Sequence, residues 1–467
     1  MLHDLLDRGA TEPAYRQLYR RISAAVLSGA LAEGTRLPSA RSLASQLGIA
    51  RGTVEAAYGQ LAGEGYIQGR GAAGTFVAAV AGAASLQPAP VVATPALPVA
   101  TGGALPFQMG LPALDRFPRK LWARLAARQA HGLATGMLLT QDPAGLPSLR
   151  AAIARYLAVA RGISVPPEQI IVTAGYQGAL GLVTRALDVA GEPVWMEEPG
   201  YFLARAALAA AGARIVGVPV DGAGLDVAAG RMLAPRARLA LVSPSHQSPL
   251  GMALTLPRRL QLLDWAALSD AWIVEDDYDS EFRYVGRPLP PLKSLDRADR
   301  VLYIGTFSKS LFPGLRLGYL VAPSPLVRPL VDLTMLLAPL AAADAQATLA
   351  AFLIEGHFGR HIRRMRQLYA GRRAALAQAL ERQFGSGQVA LGAGGMHVLL
   401  RLDDMADDRE IEVACRAAGL GPSALSDFYA GPDKRRGLLL SFTNVPPDEA
   451  PALVQRLARV LSMALRP

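Results

Sequence analysis

The sequence has one cysteine in 467 residues, Cys415. A lone thiol cannot close an intrachain disulfide or build a cysteine metal cluster, and it suits a reducing compartment. Cys415 is expected as a small core residue on a helix, and no metal site is expected. Lysine is almost as scarce: of 48 basic residues only four are lysine, Lys120, Lys293, Lys309 and Lys434. Arginine is thus the default cation, and a lysine placed in an apolar region suggests a role that only an amine can fill. No apolar run approaches membrane-spanning length without charges, Gly or Pro. The N-terminus, MLHDLLDRGATEP, also lacks a basic start followed by an apolar stretch. A cytoplasmic protein with no membrane contact is expected.

At this length more than one core is expected, and 51% apolar residues can fill them. The formal charge of +10 permits a nucleic-acid partner but does not require one in so arginine-rich a chain.

The most informative stretch runs from Ala271 to Leu320. In AWIVEDDYDSEFRY an apolar strand leads into Asp276 and Tyr278, which strand alternation places on one face. A second apolar run, 301–304, delivers Gly305-Thr306-Phe307-Ser308-Lys309, with Arg316 seven residues further on. An amine for a Schiff base, a carboxylate for a pyridine nitrogen, and hydroxyls with an arginine for a phosphate together fit a phosphorylated pyridine aldehyde. The cofactor implied is pyridoxal 5′-phosphate (PLP). Most lysines and aspartates are solvated surface groups, but the scarcity of lysine and its apolar setting weigh against that reading here.

Residues 13–78 read as three helices and a hairpin. Leu18, Ile22 and Val26 form one apolar stripe that ends near Gly29; Ser39 caps a second helix with Leu43 and Leu47 inward; Gly48 turns into a third with Val54, Tyr58 and Leu61 inward. Two short helices joined by a Gly-containing turn are the helix-turn-helix pattern. The strands around GRGAAG would make a two-stranded wing. Arg41, Arg51, Thr53 and Arg70 fall where such a module meets phosphates and base edges. A small dimerisation domain is the bland alternative. Residues 79–105, rich in Ala, Pro, Val and Gly, read as a linker. From 106 to 467 short apolar runs alternate with helical stretches, as a mostly parallel α/β sheet requires: 170–173, 194–196, 215–218, 239–243, 272–275 and 301–305. A basic amphipathic helix over 357–380 reads as a solvated face, followed by a small α+β segment.

EDDYDSEFRY, GTFSK, PGLRLGYL, PSHQ and GHFGRHIRRMRQLY, with LPSARSLASQLGIARGTVEAAYGQLAGEGYI near the N-terminus, resemble the MocR-type regulators of the GntR superfamily. That resemblance implies an α/β fold: a winged helix-turn-helix joined to a fold-type I aminotransferase-like domain with a large α/β and a small α+β part. It places Gly175, Tyr176 and Gln177 at a phosphate-facing helix start, with Thr306, Ser308 and Arg316 closing the phosphate cup. It also places Tyr201 on the pyridine ring, and Tyr278 with either Gln247 or Ser248 at the phenolic oxygen. It implies a domain-swapped homodimer on double-stranded operator DNA, answering to an amine effector or to PLP bound at Lys309. The alternative is an active aminotransferase with an accessory DNA-binding domain. Two departures bear on that choice. Leu439 stands where an arginine for the substrate carboxylate is expected, with Arg435 and Arg436 nearby. Leu139-Thr140-Gln141 stands where a tyrosine often reaches the partner's phosphate. In the third helix, Ala50, Gly52 and Glu55 depart from the usual residues; Glu55 facing a phosphate would be repulsive, so it either reads a cytosine amino group or is tilted away.

Overall fold

The computed structural model describes residues 12–79, 103–132, 142–286, 289–337, 342–403, 405–432 and 434–464, with Leu6 and Leu139. Most of the expected linker, residues 80–102, lies outside them. The chain divides into two compact units, Met1–Thr101 and Gly102–Pro467.

In the first unit, helices α1 (Ala14–Leu27), α2 (Ala40–Leu47) and α3 (Arg51–Gly63) enclose Leu18, Ile22, Val26, Leu43, Leu47, Val54, Tyr58 and Leu61. The Ser39 side chain accepts from the Ser42 amide at 3.1 Å and caps α2, and Gly48 ends it at φ +64. Burial pushes the Tyr58 phenol up to about 12, and its hydroxyl donates to the Pro38 carbonyl. The wing has three strands where two were expected. Strands β1 (Arg36–Leu37), β2 (Ile67–Gly69) and β3 (Thr75–Val77) pair antiparallel in the order β1-β3-β2. The two residues of β1 carry no alternation a sequence reading could find; the strand exists because the outer edge of β3 offers unpaired backbone groups to Gly34 and Thr35 as well.

The second unit is built on an eight-stranded sheet: β4 (Ile170–Thr173), β5 (Pro193–Glu198), β6 (Arg214–Asp221), β7 (Gly224–Leu225), β8 (Leu239–Val242), β9 (Trp272–Asp277), β10 (Val301–Thr306) and β11 (Gly318–Val321). Their order is β4-β11-β10-β9-β8-β5-β6-β7, and the run from β10 to β6 is parallel. Five of the six expected runs lie within strands, and the sixth, 239–243, overruns β8 by one residue. Strand β11 was not anticipated; it lies between β4 and β10 and is antiparallel to both. Both faces of the sheet are covered. Val194, Met196, Leu239, Leu241, Trp272 and Val274 enter one core, while Trp195, Ala240, Val242 and Ile273 enter another, where Trp195 stacks on Trp265 at 3.9 Å.

A second, antiparallel sheet orders β12 (Val389–Ala390), β13 (His397–Arg401), β15 (Gly437–Ser441) and β14 (Ser423–Ala424) as β12-β13-β15-β14. The long basic helix spans His357–Phe384. Not all its arginines are solvated: Arg372 is buried and donates to Asp115 at 2.8 Å and to the Thr443 carbonyl. Cys415 is buried on the helix Asp408–Ala417. Among the described residues no helix is long and apolar enough to cross a membrane, and no cluster of side chains could hold a metal ion.

Candidate functional site

Strands β9 and β10 lie side by side in parallel, with Asp276 opposite Ile304. Each releases its chain at the same edge, so Thr306, the last residue of β10, and the turn from it to Lys309 emerge beside the carboxylate near the end of β9. Asp276 continues the face of Trp272 and Val274, toward the helix Gly175–Ala186. Its Oδ1 is buried without a hydrogen-bond partner among the described residues, as is the neighbouring Tyr176 hydroxyl. Burial pushes the Asp276 carboxyl well above the usual carboxylate range; the Asp277 charge adds to this and the Tyr176 hydroxyl opposes it.

The Lys309 amine donates to the Gly110 carbonyl at 3.0 Å. Burial lowers its pKa, against the pull of Asp279 and Asp276. Gly110 has φ +83, and a Cβ there would fall 2.9 Å from Lys309 Nζ. Any larger residue would thus press on the amine. No pattern in the sequence singles out Gly110.

Thr306, Gly318 and Thr173 form one row across β10, β11 and β4. Gly175 follows that row at φ +77, and Gly318 packs so close that its Cβ would lie 3.0 Å from the Gly175 Cα. The helix that Gly175, Tyr176 and Gln177 open has no side-chain cap, so its first amides are free to meet an anion. The Ser308 amide donates to Thr306 Oγ1 at 3.2 Å. Arg316 is exposed and sits at φ +51; its amide donates to the Pro313 carbonyl, and its guanidinium has no hydrogen-bond or ion-pair partner among the described residues. A non-glycine residue in the left-handed region costs energy and is found where structure or function requires it.

Tyr201 lies with its ring centroid 6.1 Å from that of Tyr176, and burial, with the Asp276 charge, pushes its phenol up to about 12. Gln247 and Ser248 are distinguished by their contacts. The Gln247 amide donates to the Pro199 and Ser248 carbonyls at 2.7 and 2.9 Å and accepts from the Leu250 amide, so its polar atoms are engaged with backbone. The Ser248 side chain lies beside Tyr278. Tyr278 falls just beyond β9, and its hydroxyl meets His246 Nδ1 at 2.9 Å.

Leu439 is fully buried opposite Leu399, in an apolar cluster with Leu425, Phe428 and Tyr429 against which Tyr201 packs. Arg436 is tied to Asp408 at 3.3 Å, whereas Arg435 is exposed. Of the segment before Asp142, Thr140 and Gln141 lie outside the described residues.

The sequence gives no sign of the polar network on the opposite face of β9. Arg161 pairs with Asp277 at 2.7 Å and donates to Ser245. The Tyr303 hydroxyl donates to Asp277, and Tyr156 donates to Glu281 at 2.8 Å.

In the first unit Arg41 and Arg70 are exposed, Arg41 on the first turn of α2 and Arg70 at the start of the wing turn, where its guanidinium lies 5.0 Å from the centroid of the Phe76 ring. Thr53 is half-buried on α3. Arg51, the first residue of α3, pairs with Glu55 one turn on at 2.8 Å. The Glu55 carboxylate is thus engaged along its own helix with Arg51. Ala50 leaves α3 without a side-chain cap.

Residues 14–77 match the family model described as bacterial regulatory proteins of the gntR family, and residues 114–421 match aminotransferase class I and II. The chain is 37% identical to the probable rhizopine catabolism regulatory protein MocR of Rhizobium meliloti, over 95% of this chain and 92% of that one. It is also 37% identical to the HTH-type pyridoxine biosynthesis transcriptional regulator PdxR of Corynebacterium glutamicum, over 91% of each. Among solved structures, an archaeal alanine:glyoxylate aminotransferase superposes with a TM-score of 0.72 at 27% identity, over 78% of this chain and 92% of that one.

Proposed function

The chain belongs to the MocR-type transcriptional regulators of the GntR superfamily, and from that premise we propose that its larger unit holds pyridoxal 5′-phosphate at Lys309 and senses through it an amine metabolite or the cofactor itself. The smaller unit, residues 13–78, would carry that state to double-stranded operator DNA through Arg41, Arg51, Thr53 and Arg70. The observation that carries the reading is the meeting of a half-buried amine with a buried carboxylate whose Oδ1 lacks a hydrogen-bond partner among the described residues, delivered by adjacent parallel strands.

The residues present fit the cofactor. When bound, it supplies an electrophilic aldehyde carbon and an electron-withdrawing ring. Lys309, its ammonium form disfavoured by burial, reaches the neutral nucleophilic form at lower pH than an exposed lysine does. Asp276 Oδ1 is placed to accept a ring N–H. Tyr201 offers an aromatic face. Gly175, Tyr176 and Gln177 present helix-terminal amides to a phosphate, which Thr306, Ser308 and the unpaired Arg316 would close around. Tyr278 and Ser248 are the groups suited to the phenolic oxygen; Gln247 supports them through backbone contacts.

An effector can act only through different affinities for two states of the protein. The reading includes a homodimer in which residues 79–105 let the DNA-binding unit cross to its partner, consistent with a two-part operator. The second reading, an active aminotransferase, draws on the same Lys309, Asp276, Tyr278 and Arg316 set, but Leu439 removes the expected grip on a substrate carboxylate. Borohydride reduction followed by peptide mapping tests the first reading. Label on the Lys309 peptide, together with an amine-dependent change in operator binding, supports it; label elsewhere or none overturns it.

A further inference from the structure

His246 and Asp279 have no role in the chemistry proposed above. His246 follows β8, and Asp279 follows Tyr278 beyond the end of β9. His246 Nδ1 lies 2.9 Å from the Tyr278 hydroxyl and 3.1 Å from Asp279 Oδ2. Both side chains are buried, that of Asp279 completely. The ring is held in place. Gly395, at φ +88, presses its backbone on the imidazole so closely that a Cβ there would fall 2.0 Å from Cε1. On another side the His397 ring packs 5.4 Å away and is itself tied by its Nε2 to the Pro249 carbonyl.

One ring nitrogen facing two oxygens has few ways to satisfy both. If Nδ1 carried a lone pair, it could accept the Tyr278 proton, but it would then confront the Asp279 carboxylate acceptor to acceptor. The other Asp279 oxygen has no partner among the described residues, so the buried carboxylate would have no hydrogen-bond donor there. That costs more than a neutral phenol's hydrogen bond returns. A proton on Nδ1 resolves the conflict. It bonds to Asp279 Oδ2, is shared with the Tyr278 oxygen, and obliges the phenolic O–H to donate elsewhere. Tyr278 keeps its own proton, because burial and the Asp279 charge hold its pKa well above the ordinary value.

We propose that His246 is a positioning residue: Asp279 fixes the proton on its Nδ1, and His246 thereby turns the Tyr278 hydroxyl proton toward the site of Lys309 and Asp276, where the phenolic oxygen of the bound cofactor is the acceptor. The proposal rests on the reading of a cofactor at Lys309. It assigns a task to two residues that would otherwise count as packing, and it makes Tyr278 a committed donor.

The test has two arms. In the first, the full chain is labelled with 15N-histidine and its ring nitrogens are recorded at mildly alkaline pH without added cofactor, the His246 signals being identified by their loss in His246→Asn. A protonated Nδ1 is expected; a proton on Nε2 with a bare Nδ1 overturns the proposal. In the second, the chain is loaded with PLP and the pH midpoint of its visible chromophore is measured. His246→Leu should raise that midpoint by about one unit, the size of one lost hydrogen bond, since the phenolic oxygen then holds its neighbouring proton more strongly. His246→Asn, whose amide keeps a donor near the position of Nδ1, should restore the parent value. Equal midpoints in all three proteins overturn the proposal. If His246→Leu does not fold, the nitrogen spectrum of the parent decides. If the parent takes up no PLP, the Lys309 reading fails while the same spectrum still decides the direction of the His246 proton.

Discussion

Arg161 and Asp277 form an ion pair at 2.7 Å with both side chains almost wholly buried, one residue along the strand from Asp276. The two aspartates point to opposite faces of the sheet. Among the described residues Asp277 has a cation at ion-pair distance and Asp276 has none, and the Asp277 charge raises the pKa of its neighbour. Arg161→Ala would leave Asp277 buried with only the Tyr303 hydroxyl as donor. A loss of about 3–5 kcal/mol in unfolding free energy is expected, as for other broken buried pairs; a loss below about 1 kcal/mol in urea titrations would show that the pair is dispensable.

Lys309→Ala should give a colourless protein that remains folded. Among the described residues the amine hydrogen-bonds only to the Gly110 carbonyl, so its removal breaks no ion pair there. Visible absorbance after incubation with PLP, alongside circular dichroism, checks this. A variant that still shows the parent's visible spectrum refutes the assignment of Lys309.

Arg51→Ala should weaken specific operator binding by about 1–3 kcal/mol if it reads a guanine, or flatten the salt dependence by about one unit if it touches only phosphate. Arg41 and Arg70 should behave as phosphate contacts. The separated larger unit should lose DNA binding and keep the cofactor; specific operator binding by that unit alone would reverse the division of labour.

Steady-state transamination should be slow or absent. Leu439 lies inside an apolar cluster with no charge of its own, and Arg436 is already paired with Asp408. A substrate carboxylate lacking a bidentate partner is free to rotate out of the geometry needed for proton removal. Sustained conversion of a common α-amino acid at roughly 1–1000 per second, the ordinary range for enzymes, would make the aminotransferase reading the better one.

The contribution of Glu197 to stability should fall as pH rises from about 5 to about 7. Burial pushes the Glu197 carboxyl up to about 7, against hydrogen bonds from Ser243 and Gln247. The folded chain therefore holds a proton there that an unfolded glutamate has already released. The resulting stabilisation is complete below the unfolded pKa and is lost as pH passes the folded one. Glu275 and Glu281 act in the same direction. Glu197→Gln can still accept from Ser243, and it should reduce the pH 5 to pH 8 difference in unfolding free energy by on the order of 1–3 kcal/mol. No change in that slope would mean that Glu197 does not titrate in this window.

Much of the fold was legible because apolar periodicity was strong. Six of the eight strands carry short apolar runs, and the stripes of α1 to α3 mark their buried faces. The missed elements carry no such signal. Strand β1 has two residues, and β11 follows PGLR, which reads as a turn. At the site, residue type was informative where the chemistry is rare: a lysine among so few, or a carboxylate ending an apolar strand. It was uninformative where the role comes from a partner. Asp279 and His246 meet 33 positions apart, and Arg161 reaches Asp277 on β9 from the end of the helix Pro147–Arg161.

Because β11 lies between β4 and β10, the three segments that face the expected phosphate spring from three neighbouring strands: 174–177 after β4, Thr306 and Ser308 at the end of β10, and Arg316 just before β11. A dianion gripped by all three would act as a clasp across one end of the sheet, adding a link to the backbone ladders that join those strands. Loading and unloading would then change how freely that edge of the sheet breathes. Amide exchange along Gly318–Val321 and Ile170–Thr173 is where the difference between the two states should be largest.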